Sequence, residues 1–128
     1  MASVIHTNDA PAAVGPYSQA IDLGDFVFCS GQIPLIPETG LIVEGGIEEQ
    51  TRQVFANIKA VLTAAGLDFA NVVKTTVFMT DLNQFSVFNE IYAEYFPTDP
   101  PARSCVEVSA LPKSALVECE VIARRSIC

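Results

Sequence analysis

The sequence predicts an α/β (α+β) single domain over residues 1–128: a mixed six-stranded sheet with two helices on one face, in the order β-β-β-α-β-α-β-β. Three observations carry that expectation. Apolar residues recur at helical spacing in two stretches, Ile47 to Ala65 and Phe85 to Phe96; runs rich in β-branched residues flank them; and glycines and prolines punctuate the joins. A chain of 128 residues suits one domain with one core.

A short strand is expected near Ser3 to Thr7, followed by a proline-rich loop from Ala10 to Pro16. Tyr17 to Leu23 and Phe26 to Gly31 read as antiparallel strands, because Gly24-Asp25 between them is a two-residue hairpin signal. Pro34 to Gly46 is a loop with a small hairpin about Gly40. In the first helix Ile47, Val54, Ile58, Val61, Leu62 and Ala65 share a face, Glu48 and Arg52 support it at i,i+4, and Gly66 closes it. Val72 to Thr80 is a strand by its β-branched content. Asp81 with Gln84 resembles a capping box for the second helix, whose stripe of Phe85, Phe88, Ile91, Tyr92, Tyr95 and Phe96 is read as core. Pro100-Pro101 forces the next strand to start near Ala102 and run from Arg103 to Val108, and Ala115 to Arg124 is the last. Right-handed crossovers place both helices on one face, leaving the other free for self-association.

Composition narrows the function. Fifteen acids against seven bases give a net charge of −8, a field that repels nucleic acid and anionic membranes. Mean hydropathy is +0.36, yet no uncharged run approaches the roughly 20 residues of a membrane span, so excess apolar surface is expected to meet another subunit. The start, Met1 to His6, has no basic and apolar leader pattern, and a cytoplasmic location is the expectation. Cys29, Cys105, Cys119 and Cys128 contain no C-x-x-C pair, and with one histidine, His6, they read as reduced thiols without a metal site.

Arg103 is the leading candidate site residue. Alternation places it with Cys105 and Glu107 on one strand face, and its planar fork suits a carboxylate or phosphate. Two readings are open: a surface arginine paired with Glu107 or another acid, or an anion receptor. Glu118 and Glu120 project from one face of the final strand, as a solvated side or as a base. Were Glu118 to face Arg103 across a cavity, burial would raise its pKa and the cation would lower it, leaving a carboxylate able to orient water. Tyr17, Ser30 and Gly31 lie at strand ends, where a ring, a hydroxyl and an approachable backbone serve either a turn or a ligand.

Taken together, Gly15-Pro16-Tyr17-Ser18-Gln19-Ala20, Ser30-Gly31-Gln32-Ile33-Pro34, Pro101-Ala102-Arg103-Ser104-Cys105 and Glu118-Cys119-Glu120 resemble the Rid (YjgF/reactive-intermediate deaminase) family, specifically its RidA group of 2-iminobutanoate/2-iminopropanoate deaminases. Asn71 to Val77, Asp81 to Phe85, Asn89 to Tyr92 and Ala110 to Lys113 share the likeness, which spans essentially the whole chain. The resemblance implies a chorismate-mutase-like fold, a homotrimer with intersubunit clefts, Arg103 gripping a substrate carboxylate and Glu118 positioning water. It further implies that Tyr17, Ser30, Gly31 and the backbone around Cys105 line the cleft, and that a 2-imino acid is hydrolysed without a cofactor. Cys119 departs from it, standing where a branched aliphatic is common. A ligand-binding module for 2-keto acids or amino acids is the alternative. An endoribonuclease or translation inhibitor fits poorly with the charge and the single histidine.

Overall fold

The computed structural model describes residues 2–126 of the chain. Its elements are β1 (Ser3–Ile5), β2 (Ala20–Asp22), β3 (Phe26–Gln32), α1 (Ile47–Ala64), β4 (Val72–Met79), α2 (Phe85–Tyr95), β5 (Ala102–Glu107) and β6 (Val117–Arg124). The expected number, type and order of elements are all present. Cys128 lies outside the described residues; Cys29, Cys105 and Cys119 are free thiols, and all three are in strands.

Local chemistry explains most boundaries. The β2–β3 hairpin turns at Gly24 (φ 97°), with Leu23 N–H donating to Phe26 C=O at 2.8 Å. Gly40 (φ 71°) turns the small hairpin in the following loop, where Leu35 bridges Ile42. Helix α1 ends in a left-handed Gly66 (φ 76°), and Leu67 N–H reaches back to Leu62 C=O at 2.8 Å. Arg52 does approach Glu48, at 3.7 Å, but its stronger partner is Glu94 on α2, held through two parallel bonds of 3.0 and 3.2 Å.

Three boundaries differ from expectation. Residues Tyr17 to Gln19 precede β2 and are not part of it, because Tyr17 N–H donates back to Gly15 C=O at 2.8 Å and Val14 N–H to the Tyr17 hydroxyl. Asp81 caps a short 3-10 turn, Leu82–Gln84, by accepting from Asn83 N–H at 2.9 Å; α2 begins only at Phe85, with Gln84 as an N-cap that makes no side-chain bond. The last strand starts at Val117, since Pro112–Ser114 forms another tight turn in which Lys113 and Ser114 both take positive φ.

The sheet order is β1-β2-β3-β6-β4-β5, antiparallel except for the parallel β4–β5 pair at one edge. Both helices cover one face. Val54, Phe55, Ile58, Val61 and Leu62 of α1 are almost wholly buried against Val27, Val77, Met79, Val117, Cys119 and Val121 of the strands, each large aliphatic contributing about 1.5–3 kcal/mol. Phe55 is ringed by Phe69, Phe88, Tyr92, Tyr95 and Phe96, so the aromatic stripe of α2 is core, as read from the sequence. Among the described residues no helix lies over the opposite face. Phe26, Phe28 and Val106 remain exposed there: Phe26 pairs with Arg124 and Phe28 with Ile122 of β6, and Val106 pairs with Phe78, the β4 partner of Glu118.

Candidate active site

Glu118 anchors the first half of the site. It lies on the uncovered face of β6, while Val117 and Cys119 on either side point into the core. A break in the β3–β6 register between Cys29 and Gln32 brings Ser30 and Gly31 over it, and the Glu118 carboxylate rests against the bare Cα of Gly31. A cleft of about 430 Å³ opens here, walled by Tyr17, Ser30, Gly31, Pro112, Glu118 and Glu120. Burial, and then the neighbouring Glu120, push the Glu118 carboxyl above the usual carboxylate range. Among the described residues no basic side chain lines the cleft.

Gly31 has an ordinary backbone, so its requirement for glycine is steric. A methyl group there would collide with the end of the Glu118 side chain, which can move, and not with backbone. Gly31→Ala is therefore expected to fold with a melting temperature within a few degrees of the parent while displacing the Glu118 carboxylate. Thermal melts beside the carbon-13 shift of that carboxyl check it; a large loss of stability with an unmoved carboxyl signal would show that Gly31 serves the fold alone.

Arg103 forms the second half, on the other side of the sheet. Its register partner Thr75 is buried beneath the helices, so Arg103 and Cys105 project to the helix-covered face. The guanidinium stands 5.2 Å from the Phe85 ring centroid and 4.8 Å from that of Tyr92, and Nη1 donates to Asn89 Oδ1 at 2.8 Å. The Tyr92 hydroxyl is itself fixed by Thr75 at 2.8 Å. Among the described residues no carboxylate lies within 4.0 Å of Arg103, so the ion pair with Glu107 does not form. Glu107 instead accepts from Leu82 N–H at 2.9 Å. Burial raises the Cys105 thiol pKa, an effect that Arg103 opposes.

The structure thus gathers Tyr17, Ser30, Gly31 and Glu118 and leaves Arg103 and Cys105 apart. Within one chain Arg103 and Glu118 do not face each other, because β5 and β6 flank β4 with these two side chains on opposite faces. Asn89, which orients the guanidinium, enters the sequence reading only within the Asn89 to Tyr92 likeness, with no role beside Arg103. It had a signal: a carboxamide at i+4 from Phe85 on an otherwise apolar stripe.

A small α+β domain with a largely apolar cleft carrying two carboxylates at its strand ends, and a separately mounted cation, has the features of a small-molecule-binding protein. The family model described as Endoribonuclease L-PSP matches residues 7–125. A RutC family protein of Pyrococcus horikoshii is 56% identical over 123 residues, covering 96% of this chain and 98% of that protein. Reactive Intermediate Deaminase A, chloroplastic, of Arabidopsis thaliana is 52% identical over 120 residues, 94% of this chain and 64% of that one. Among solved structures, the Rid-family protein YyfA of Yersinia pestis superposes with a TM-score of 0.94 at 58% identity, covering 97% and 99% of the two chains. E. coli TdcF with bound serine gives 0.93 at 47% identity, with the same coverage. The chain belongs to the Rid family, also called YjgF/RutC.

Proposed function

We propose that this chain hydrolyses small 2-imino acids and their enamine tautomers, such as 2-iminobutanoate and 2-aminoacrylate, to 2-keto acids and ammonia, at sites shared between the chains of a homotrimer. The observation that carries the reading is the separation of complementary charges. Arg103 is a mounted cation without an acid, on edge strand β5, and Glu118 is a half-buried acid in a cleft without a cation, on the opposite face. A second copy seated on the uncovered face, whose Phe26, Phe28 and Val106 are exposed, can supply each half with the other.

In such a site Arg103 clasps the substrate carboxylate, with polar contacts from the Cys105 backbone, while Tyr17, Ser30 and Gly31 enclose the imine. The imine carbon is already electrophilic, so water needs orientation more than activation. Glu118 accepts a proton from water as its oxygen bonds to carbon, and the C=N electron pair moves to nitrogen. That proton passes from Glu118 to nitrogen, giving a carbinolamine; its hydroxyl then gives up its proton, through Glu118, to the amino nitrogen, the C–N bond breaks as the carbonyl forms, and ammonia departs. No step calls for a cofactor. Retention of a small amino acid without turnover is the second reading, favoured by the serine that the TdcF structure carries.

Subunit complementation tests the shared site. Arg103→Ala and Glu118→Gln are each expected to be inactive in forming 2-keto acid from a threonine-dehydratase reaction. Unfolded together and refolded as a mixture, they should regain about a quarter of the parental sites, because some interfaces then pair an intact arginine with an intact glutamate. No recovery in a correctly assembled mixture would place both residues in one chain's site. An inactive parent that still binds 2-ketobutyrate would favour the second reading.

A further inference from the structure

Part of the Glu118 cleft is walled by loops, which are tied to buried carboxamides that take no direct part in the chemistry above. Gln19, 3% exposed, donates from Nε2 to the carbonyls of Thr7 at 3.0 Å, Pro11 at 2.9 Å and Ala10 at 3.5 Å, and accepts from Thr7 N–H at 2.8 Å. It fixes the segment that leads into the wall made by Pro11, Ala12 and Val14. Its own carbonyl takes Ser30 N–H at 2.9 Å, and the Ser30 hydroxyl donates to Ser18 C=O at 2.6 Å, so the same residue grips the strand that carries Gly31. Asn57, 1% exposed, donates from Nδ2 to the carbonyls of Ile33 at 3.1 Å and Leu35 at 2.9 Å, both residues of the cleft wall, while Gln53 steadies its Oδ1. Gln50 accepts Leu116 N–H at 2.8 Å and so holds the chain that leads out of Pro112–Ser114.

Gln50 and Asn57 are seven residues apart on the buried face of α1, in a ladder with Ile47, Val54 and Val61 where apolar residues would fill the core at lower cost. Burying a carboxamide is unfavourable unless its hydrogen bonds are met; here loop carbonyls take the Gln19 and Asn57 donors, and Leu116 N–H serves the Gln50 oxygen. We propose that Gln19, Asn57 and Gln50 are positioning residues, which lock three cleft walls onto the domain and hold Tyr17, Ser30 and Gly31 at fixed distance from Glu118. The inference rests on the reading of this cleft as a deaminase site. Glu120 and Tyr17 are the other titratable groups on its walls.

The test sets Gln19→Met and Asn57→Leu against Arg125→Ala. Arg125 also loses several bonds when truncated, to Gly24 and Ala65 carbonyls and the Asp22 carboxylate, but it lies away from the cleft. Expected are a kcat reduced about tenfold or more in the two carboxamide variants, with KM changed less, and a kcat within about twofold of the parent in Arg125→Ala despite a lowered melting temperature. If Gln19→Met does not fold, Gln19→Glu, which keeps the acceptor and loses the donors, carries the same prediction. Unchanged kcat in folded carboxamide variants, or a kcat loss in Arg125→Ala matching theirs, overturns it. Carbon-13 titration of the Glu118 carboxyl in an Arg103→Ala background reads the inference without turnover. Loosened walls admit water, so the midpoint falls when Gln19 is replaced. A midpoint that stays put overturns the positioning role, whereas a parent without activity overturns the deaminase reading alone.

Discussion

Replacing Arg103 with alanine is expected to lower kcat/KM for a 2-imino acid by about 100-fold or more while leaving the fold intact. Charge-assisted hydrogen bonds to a carboxylate are worth roughly 1.5–3 kcal/mol each, and two of them acting as a fork reach that range. The cost to stability is small, because the side chain is half-exposed and gives up one bond to Asn89 and its contacts with the Phe85 and Tyr92 rings, about 1 kcal/mol in all. Arg103→Lys retains the charge and loses the fork, so it is expected between the two, nearer the alanine variant. Steady-state rates at several substrate concentrations distinguish the roles: a carboxylate grip raises KM first. Parental kinetics in a folded Arg103→Ala protein would remove the cation from the site altogether.

Glu118→Gln is expected to lower kcat by roughly 10²–10⁴, the usual worth of a positioned acid or base. Its effect on stability has a sign that can be worked out. Burial, then Glu120, raise the Glu118 pKa in the folded chain. Between the unfolded and folded values the folded state binds more protons, so this carboxyl takes stability away as pH rises, and at neutral pH its ionised form is a net cost. Below the unfolded value of about 4.3 both states are protonated and the cost disappears. In an Arg103→Ala background, where no cation from a second copy can offset the charge, Glu118→Gln should therefore raise the melting temperature at pH 7, and the gain should vanish near pH 4. With Arg103 present the gain should be smaller if, as proposed, the guanidinium of a second copy compensates the carboxylate. Melting curves of the four combinations at both pH values form a double-mutant cycle. Equal gains with and without Arg103 would show that the two charges do not meet.

Much of the architecture was legible because local chemistry and pattern agreed. The hairpin at Gly24, the Gly66 helix end, the proline-set start of β5 and the helical stripe through Val54 and Ile58 each state their own structure. Candidate residues were legible too, as polar or charged groups at strand ends. Their partners were harder to see. Gln19, Gln50, Asn57 and Asn89 look like ordinary polar residues until their bonds to distant backbone or to Arg103 are known, although three of them interrupt apolar helical stripes. Asp81 showed the opposite error, a capping signal spent on a 3-10 turn ahead of the helix.

The sequence alone determined the two helices, the six strands and the alternation that sends Arg103 to one face of its strand and Glu118 to one face of its own, because periodicity and turn chemistry are local. Only the tertiary structure decided that those two faces are opposite ones. That outcome depends on strand order and register, with β4 between β5 and β6, and these are fixed by long-range pairing that no short stretch of sequence encodes.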